Sequence, residues 1–288
     1  MAGGRLNSMY LELTKPRIIL LLLLVAISSY VASSPSTISV GVLAVLTASG
    51  ALSSAGSSAL NHYFDRDLDG LMARTRHRPL PAGRLEPPEK AFAFGLGLVA
   101  AGVTLSLLLI NLLTAFFIFL GAFIYVVVYT LLLKRRSMWN IVIGGLAGSC
   151  PALAGSAAAV NAITMPGLLI ALLVFLWTPG HFWALSLRNR ADYLKARIPM
   201  LPAVVGEGTA ARTIVASTFV LPLYVPLFYL TGVLSMPTFL LAFAAGLILL
   251  YITVGILGDT KAAWPSFKFS GIFLMVTLLA VAFNALLT

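Results

Sequence analysis

Residues 38–69, ISVGVLAVLTASGALSSAGSSALNHYFDRDLD, change character within a few positions. Residues 38–61 carry no charge and are long enough to cross a hydrocarbon core of about 30 Å, which takes roughly 20 apolar residues. Asp65, Asp67 and Asp69 then place three of the nine acids of the chain within five positions. An uncharged span that ends in crowded acids reads as a membrane helix presenting chemistry at the membrane surface.

The rest of the chain fits that reading. It has 288 residues, of which 60% are hydrophobic and 10% charged, against about 25% charged in a soluble domain. So little charge leaves no polar surface for water, and the solvent is lipid. Nine stretches are candidate spans: 16–33, 38–61, 90–110, 112–133, 139–160, 166–187, 210–230, 235–257 and 267–287. The second and fifth, rich in Ala, Ser and Gly, are the least hydrophobic. Each span must satisfy its own backbone, so the fold class is all-α, a polytopic bundle.

Charge placement orients the bundle. With nine spans, one side carries Arg5, Lys15 and Arg17, six bases from Arg66 to Lys90, Lys134 to Arg136, five bases from Arg188 to Arg212, and Lys261 and Lys268. These are all 19 Lys and Arg, and the loops near Ser34, Asn111, Asn161 and Ser235 have none. The positive-inside rule makes the charged side cytoplasmic and puts the C-terminus outside, in a cell-membrane protein. The net charge of +10 therefore reflects topology, and nucleic acid is not an expected partner. Cys150 is the only cysteine, which excludes an intramolecular disulfide. The N-terminus reads as a retained first span rather than a signal peptide.

Two charged-side loops, about 62–89 and 188–209, are longer and more polar than the others. Each reaches a proline segment, Pro79-Leu80-Pro81 or Pro199-Met200-Leu201-Pro202, and Pro79 and Pro199 are 120 residues apart. The spacing suggests one domain of two related four-helix halves, about 13–133 and 139–257, plus a ninth helix, with the two loops capping the site. The small residues from Ser49 to Ala59 allow either close helix packing or a cavity wall.

If the second helix continues through the acids, Asn61, Asp65 and Asp69 stand at i, i+4 and i+8 and share a face, and Asp67 points elsewhere. Three oxygen ligands on one face suit a hard cation such as magnesium, shared with substrate phosphates. The alternative is a solvated helix end paired with Arg66 and neighbouring bases. Downstream, Arg74, Arg76, Arg78 and Arg84 offer the planar fork that grips phosphate.

The run Asn61 to Pro81, NHYFDRDLDGLMARTRHRPLP, resembles the first signature of the intramembrane aromatic prenyltransferase superfamily. Three further segments resemble its heme-farnesylating branch: Leu13-Thr14-Lys15-Pro16-Arg17; Lys134-Arg135-Arg136 with Asn140-Ile141-Val142-Ile143-Gly144-Gly145; and Thr178-Pro179-Gly180-His181-Phe182-Trp183 through Asp192-Tyr193 to Pro202. The resemblance spans residues 13 to 210. It implies nine helices around a central cavity and magnesium-dependent transfer of farnesyl from farnesyl diphosphate to a vinyl group of heme B, giving heme O. Membrane lipid is the surrounding partner, and a heme A-forming enzyme is the expected consumer of the product. The resemblance makes Asn61, Asp65 and Asp69 the metal–diphosphate motif and Arg74 and Arg78 diphosphate contacts. In the second signature only Asp192 stands where many members have two aspartates, so Asp192 is expected as a metal ligand and catalytic residue with Asp65 and Asp69.

Cleavage of an allylic diphosphate leaves negative charge on the phosphates and positive charge on the allyl group. Lys134 and the arginines would stabilise the first, and aromatic faces at Tyr125, Tyr129, Phe182 and Trp183 the second. His181, an ionisable group late in the sixth span, marks an acceptor pocket. Arg188 and its neighbours are candidates for heme propionates or diphosphate. The rival readings are a prenyltransferase for a quinone-precursor ring or a glycerol phosphate lipid, and a heme or lipid transporter or assembly protein.

Overall fold

The computed structural model describes residues 2–34 and 37–287, with side chains from residue 8 onward, so the Arg5 side chain lies outside the described residues. It is all-α. Helix α1 (Ala2–Thr14) precedes the first span. The spans are α2 (Pro16–Ser33), α3 (Val40–Phe64), α5 (Glu89–Leu109), and α6 (Leu112–Phe123) continuing as a π-helix over Ile124–Leu133. They continue with α7 (Asn140–Gly144) and α8 (Leu146–Val160) as one span, then α9 (Met165–Arg188). The last three are α12 (Glu207–Tyr224) with α13 (Pro226–Leu230), α14 (Met236–Val254), and α15 (Ala263–Leu287). Among the described residues, nine helical units are thus long and apolar enough to cross a membrane. Short helices α4 (Arg66–Leu71), α10 (Arg190–Lys195) and α11 (Leu201–Val205) lie in the two long loops. Most predicted boundaries agree within three residues; the last span starts earlier, at Thr260.

Local chemistry sets the ends. The hydroxyl of Ser39, the amide oxygen of Asn111 and the hydroxyl of Thr164 accept backbone N–H bonds from Val42, Thr114 and Gly167, each satisfying one donor the first turn leaves free. Pro16 and Pro166 stand in first turns, where their missing N–H costs nothing. Asn161 ends α8 at φ 52°, in the left-handed region that Asn tolerates.

The small residues of the second span serve close packing. A Cβ on Gly56 would strike the backbone of Gly95, and one on Gly102 that of Ser49, so α3 and α5 meet backbone to backbone. Gly155 of α8 stands equally close to Ala26 of α2. Interhelical hydrogen bonds add to this: Ser29 Oγ to Ala152 O, Ser149 Oγ to Ala171 O and Trp177 Nε1 to Ser270 O. The largest core cluster, including Leu173, Phe228 and Phe273, joins α9 to the last three spans. A second cluster ties α4 to the other long loop through Leu68, Met72, Tyr193, Ile198 and Met200.

Candidate active site

The polypeptide stays helical through the acids although α3 formally ends at Phe64. Asp65 N donates to Asn61 O (2.9 Å) and Asp69 N to Asp65 O (2.8 Å), so the three residues remain on one line. All three are buried: Asn61 is 4% exposed, Asp65 1% and Asp69 3%. Asp67 turns outward, where its carboxylate takes two bonds of 2.7 Å from Arg135.

Cations converge on the buried face. Lys15 Nζ donates to Asn61 Oδ1 (2.7 Å) and to the Tyr125 hydroxyl (3.3 Å). Asn61 Nδ2 donates to Asp65 Oδ2 (2.6 Å) and Thr130 Oγ1 (3.0 Å). Lys134 Nζ donates to the same Asp65 oxygen, and Arg78 Nη1 to Asp69 Oδ2 (2.7 Å). Three cations thus face two carboxylates. Burial, then the charges of Arg78 and Lys134, push the Lys15 ammonium down to about 7, against the pull of Asp65 and Asp69. The hydrogen bonds from Arg135 hold the Asp67 carboxyl below its usual range, and Asp67 in turn raises the Arg135 guanidinium.

Backbone irregularities aim these groups. Lys15 sits at φ 53°, ψ 62° between α1 and α2, a left-handed conformation that costs a lysine of order 1–3 kcal/mol and tends to mark function. In the π-helix, Lys134 N donates to Tyr129 O and Thr130 Oγ1 to Tyr125 O, both five residues back. The wider turn sets Thr130 against Asn61 and leaves the Tyr125 and Tyr129 rings stacked, 5.9 Å apart and 8° from parallel. Such π segments recur at functional sites. Nothing in the residue pattern of 124–133 announces one, and Thr130 is absent from the sequence reading for the same reason.

The other candidates divide. Trp183 is buried beside Leu68, Met72 and Tyr193, whereas Phe182 is 37% exposed and meets His181 edge-on at 5.0 Å. His181 packs in a separate aromatic nest, stacked on Trp177 (4.1 Å) and near Phe267 (4.4 Å). Its Nδ1 lies 2.6 Å from Ser270 Oγ, a hydroxyl that also stands 2.8 Å from Phe267 O. Arg188 is exposed at the end of α9. Asp192 reaches across to the first loop, where Oδ1 accepts Ala73 N–H (3.3 Å) and Oδ2 accepts Arg74 N–H (3.4 Å). The Arg74 side chain is exposed.

Buried polar atoms without a partner include His62 Nδ1 and Nε2, Asp65 Oδ1, both polar atoms of the Asn140 side chain and Trp183 Nε1. Among the described residues no three His, Cys, Asp or Glu side chains converge as a complete metal cage. The donors instead suit magnesium, which is held by one or two carboxylates and completed by phosphate oxygens. Asp65 Oδ1, buried and unpaired, is the oxygen such an ion requires.

Known proteins share both sequence and fold. The sequence profile of the UbiA prenyltransferase family matches residues 21–286. Protoheme IX farnesyltransferase 1 of Cenarchaeum symbiosum is 42% identical over 283 residues, covering 96% of this chain and 95% of that protein. The protoheme IX farnesyltransferase of Pyrobaculum neutrophilum is 40% identical over 277 residues, covering 96% and 99%. A solved structure concerning digeranylgeranylglyceryl phosphate synthase in membranes superposes with a TM-score of 0.77 at 20% identity, covering 99% of this chain and 100% of that one. A UbiA homologue from Archaeoglobus fulgidus bound to GPP and Mg2+ gives 0.72 at 16% identity, covering 95% and 99%. These two share the fold. With a profile that spans the bundle and relatives aligned along nearly its whole length, the chain belongs to the UbiA prenyltransferase family.

Proposed function

We propose that this chain is a magnesium-dependent protoheme farnesyltransferase, which joins the farnesyl group of farnesyl diphosphate to a vinyl group of heme B and releases heme O and diphosphate. The observation that carries the reading is the closed cluster at the end of α3: two buried carboxylates, an amide and three cations at the end of a long apolar bundle. Relatives named for this activity align over 96% of the chain, which favours heme over the quinone-ring and glycerol phosphate acceptors.

Asp65, Asp69 and Asn61 would hold magnesium, which when bound neutralises the diphosphate and helps it leave. Lys15, Arg78 and Lys134, now paired with the acids and Asn61, carry their charge on stems long enough to turn toward phosphate oxygens. The C1–O bond of the allylic diphosphate breaks and its electron pair leaves with the phosphate. The stacked faces of Tyr125 and Tyr129 attract the positive allyl group that remains. Its C1 bonds to the terminal vinyl carbon of heme, and water adds to the adjacent carbon and loses a proton, giving the hydroxyl of the product. Trp183 and His181 line the acceptor side in this reading, with Arg188 placed for a propionate and Arg74 for diphosphate.

The charged side is cytoplasmic by the positive-inside rule, with the C-terminus on the other side. The test is mass spectrometry of the product made by purified protein with magnesium, heme B and farnesyl diphosphate. The expected product is heme O. A prenylated 4-hydroxybenzoate from a parallel reaction, with heme unchanged, would sink the assignment.

A further inference from the structure

The two long loops use their acids in different ways. Asp65 has a buried oxygen with no partner, and Asp69 meets Arg78. Asp192, the one acid in residues 188–206, spends both oxygens on consecutive backbone N–H groups of the other loop, at Ala73 and Arg74. A carboxylate that accepts two adjacent main-chain donors fixes the orientation of that peptide segment. Apolar packing closes the same junction, because Leu68 and Met72 on one side meet Tyr193, Ile198 and Met200 on the other. The second loop is itself braced, with Ile198 N bonded to Tyr193 O (3.0 Å) and Arg190 Nε to Pro202 O (2.8 Å). The segment held by Asp192 begins the turn that carries Arg74 and ends at Arg78, the partner of Asp69.

We propose that Asp192 is a positioning residue: it clamps residues 73–74 to α10, sets Arg74 and Arg78 for the diphosphate, and leaves the metal to the Asn61–Asp65–Asp69 face alone. The proposal rests on the reading of that face as a metal–diphosphate site. It departs from the sequence expectation that Asp192 is a ligand, because both its oxygens already serve the backbone. Metal binding would then be one ion per chain, with the surplus cation of the Lys15, Arg78 and Lys134 set taking up phosphate charge.

The experiment uses the full chain in detergent with Mn2+ as a spectroscopic substitute for magnesium and inorganic diphosphate as the anion. Electron paramagnetic resonance counts the bound metal, hydrogen exchange follows residues 72–76, and steady-state kinetics separate KM for farnesyl diphosphate from kcat. Asp192→Ala is expected to keep one Mn2+ with an unchanged spectrum and to speed exchange at Ala73 and Arg74. It should raise KM about tenfold, the equivalent of one lost charge-assisted contact, with kcat little altered. Asp192→Asn keeps one carbonyl acceptor and should fall between wild type and Ala, which guards against a variant that merely misfolds. Loss of a metal equivalent or an altered Mn2+ spectrum in either variant would overturn the clamp, as would unchanged exchange with unchanged KM. Wild-type protein that binds no Mn2+ with diphosphate would instead remove the site reading beneath it.

Discussion

The segments after α3 and after α9 follow one plan to different ends. Each long helix breaks, at Asp65 or at Asn189, into a six-residue helix, and each loop then reaches a proline segment at Pro79 or Pro199. After α3 the break gathers buried acids, an amide and three cations around an unpaired carboxylate oxygen. After α9 it offers a single half-buried acid, whose bonds run back to the first segment. On the proposed reading, the same local architecture supplies a binding face in one place and a brace in the other. Burial separates the two: Asp65 and Asp69 are ion-paired away from water and Asp65 keeps an unbonded oxygen, whereas Asp192 is half-buried and spends both oxygens on backbone N–H groups.

The sharpest way to break the comparison is at Asp65. In Asp65→Asn the amide removes the charge, leaves Lys134 without its counter-ion and weakens the negative field at Lys15. Product formation should fall by about a hundred- to a thousandfold, the range seen when a preorganised electrostatic contact is lost. Near-normal heme O yield would show that the buried face is not the reactive one. Lys134→Met should cost less, about ten- to a hundredfold in kcat/KM, as one charge-assisted contact of about 1.5–3 kcal/mol disappears. It should also destabilise the protein, because Asp65 then keeps a buried charge with one donor fewer. A Lys134→Met protein with wild-type kcat/KM would remove this lysine from the diphosphate side.

A packing test separates the site from its frame. Gly56→Leu forces a side chain into the backbone of α5 at Gly95, with no flexible neighbour to yield. Overpacking of this kind typically costs about 1–3 kcal/mol or more. A lowered thermal midpoint with unchanged metal affinity in the folded fraction is the expected pattern. If Gly56→Leu left stability alone and instead blocked substrate, the small-residue face would be a cavity wall after all.

The span bundle was legible because lipid imposes length and hydrophobicity on every crossing helix, and because all 19 bases fall on one side. The relation of Asn61, Asp65 and Asp69 was equally legible, since a spacing of four needs only a continuing helix. Three features lay beyond the pattern. The π-helix at 124–133 has no signature in its residue types, so Thr130 gave no sign of its place beside Asn61. The left-handed backbone of Lys15 is a tertiary compromise between α1 and α2, which no propensity anticipates. Asp192 was identifiable as the one acid between Arg188 and Gly206, but its partners are backbone N–H groups, which every residue carries and which no side-chain motif encodes.

The smallest expected effect is at Asp67, and it completes the comparison by testing an acid in the same helix turn that the structure leaves out of the site. Its carboxylate and the Arg135 guanidinium bond twice, yet both are substantially exposed, at 59% and 40%. Exposed pairs contribute about 0–1 kcal/mol after solvent screening and side-chain entropy. Asp67→Asn should therefore shift stability by less than about 1 kcal/mol and leave kcat/KM within roughly twofold of wild type. Arg135 also donates to Phe64 O, so part of its hold on the end of α3 survives the change. A loss of activity comparable to that of Asp65→Asn would mean that proximity in sequence, rather than the buried face, selects the reactive acids.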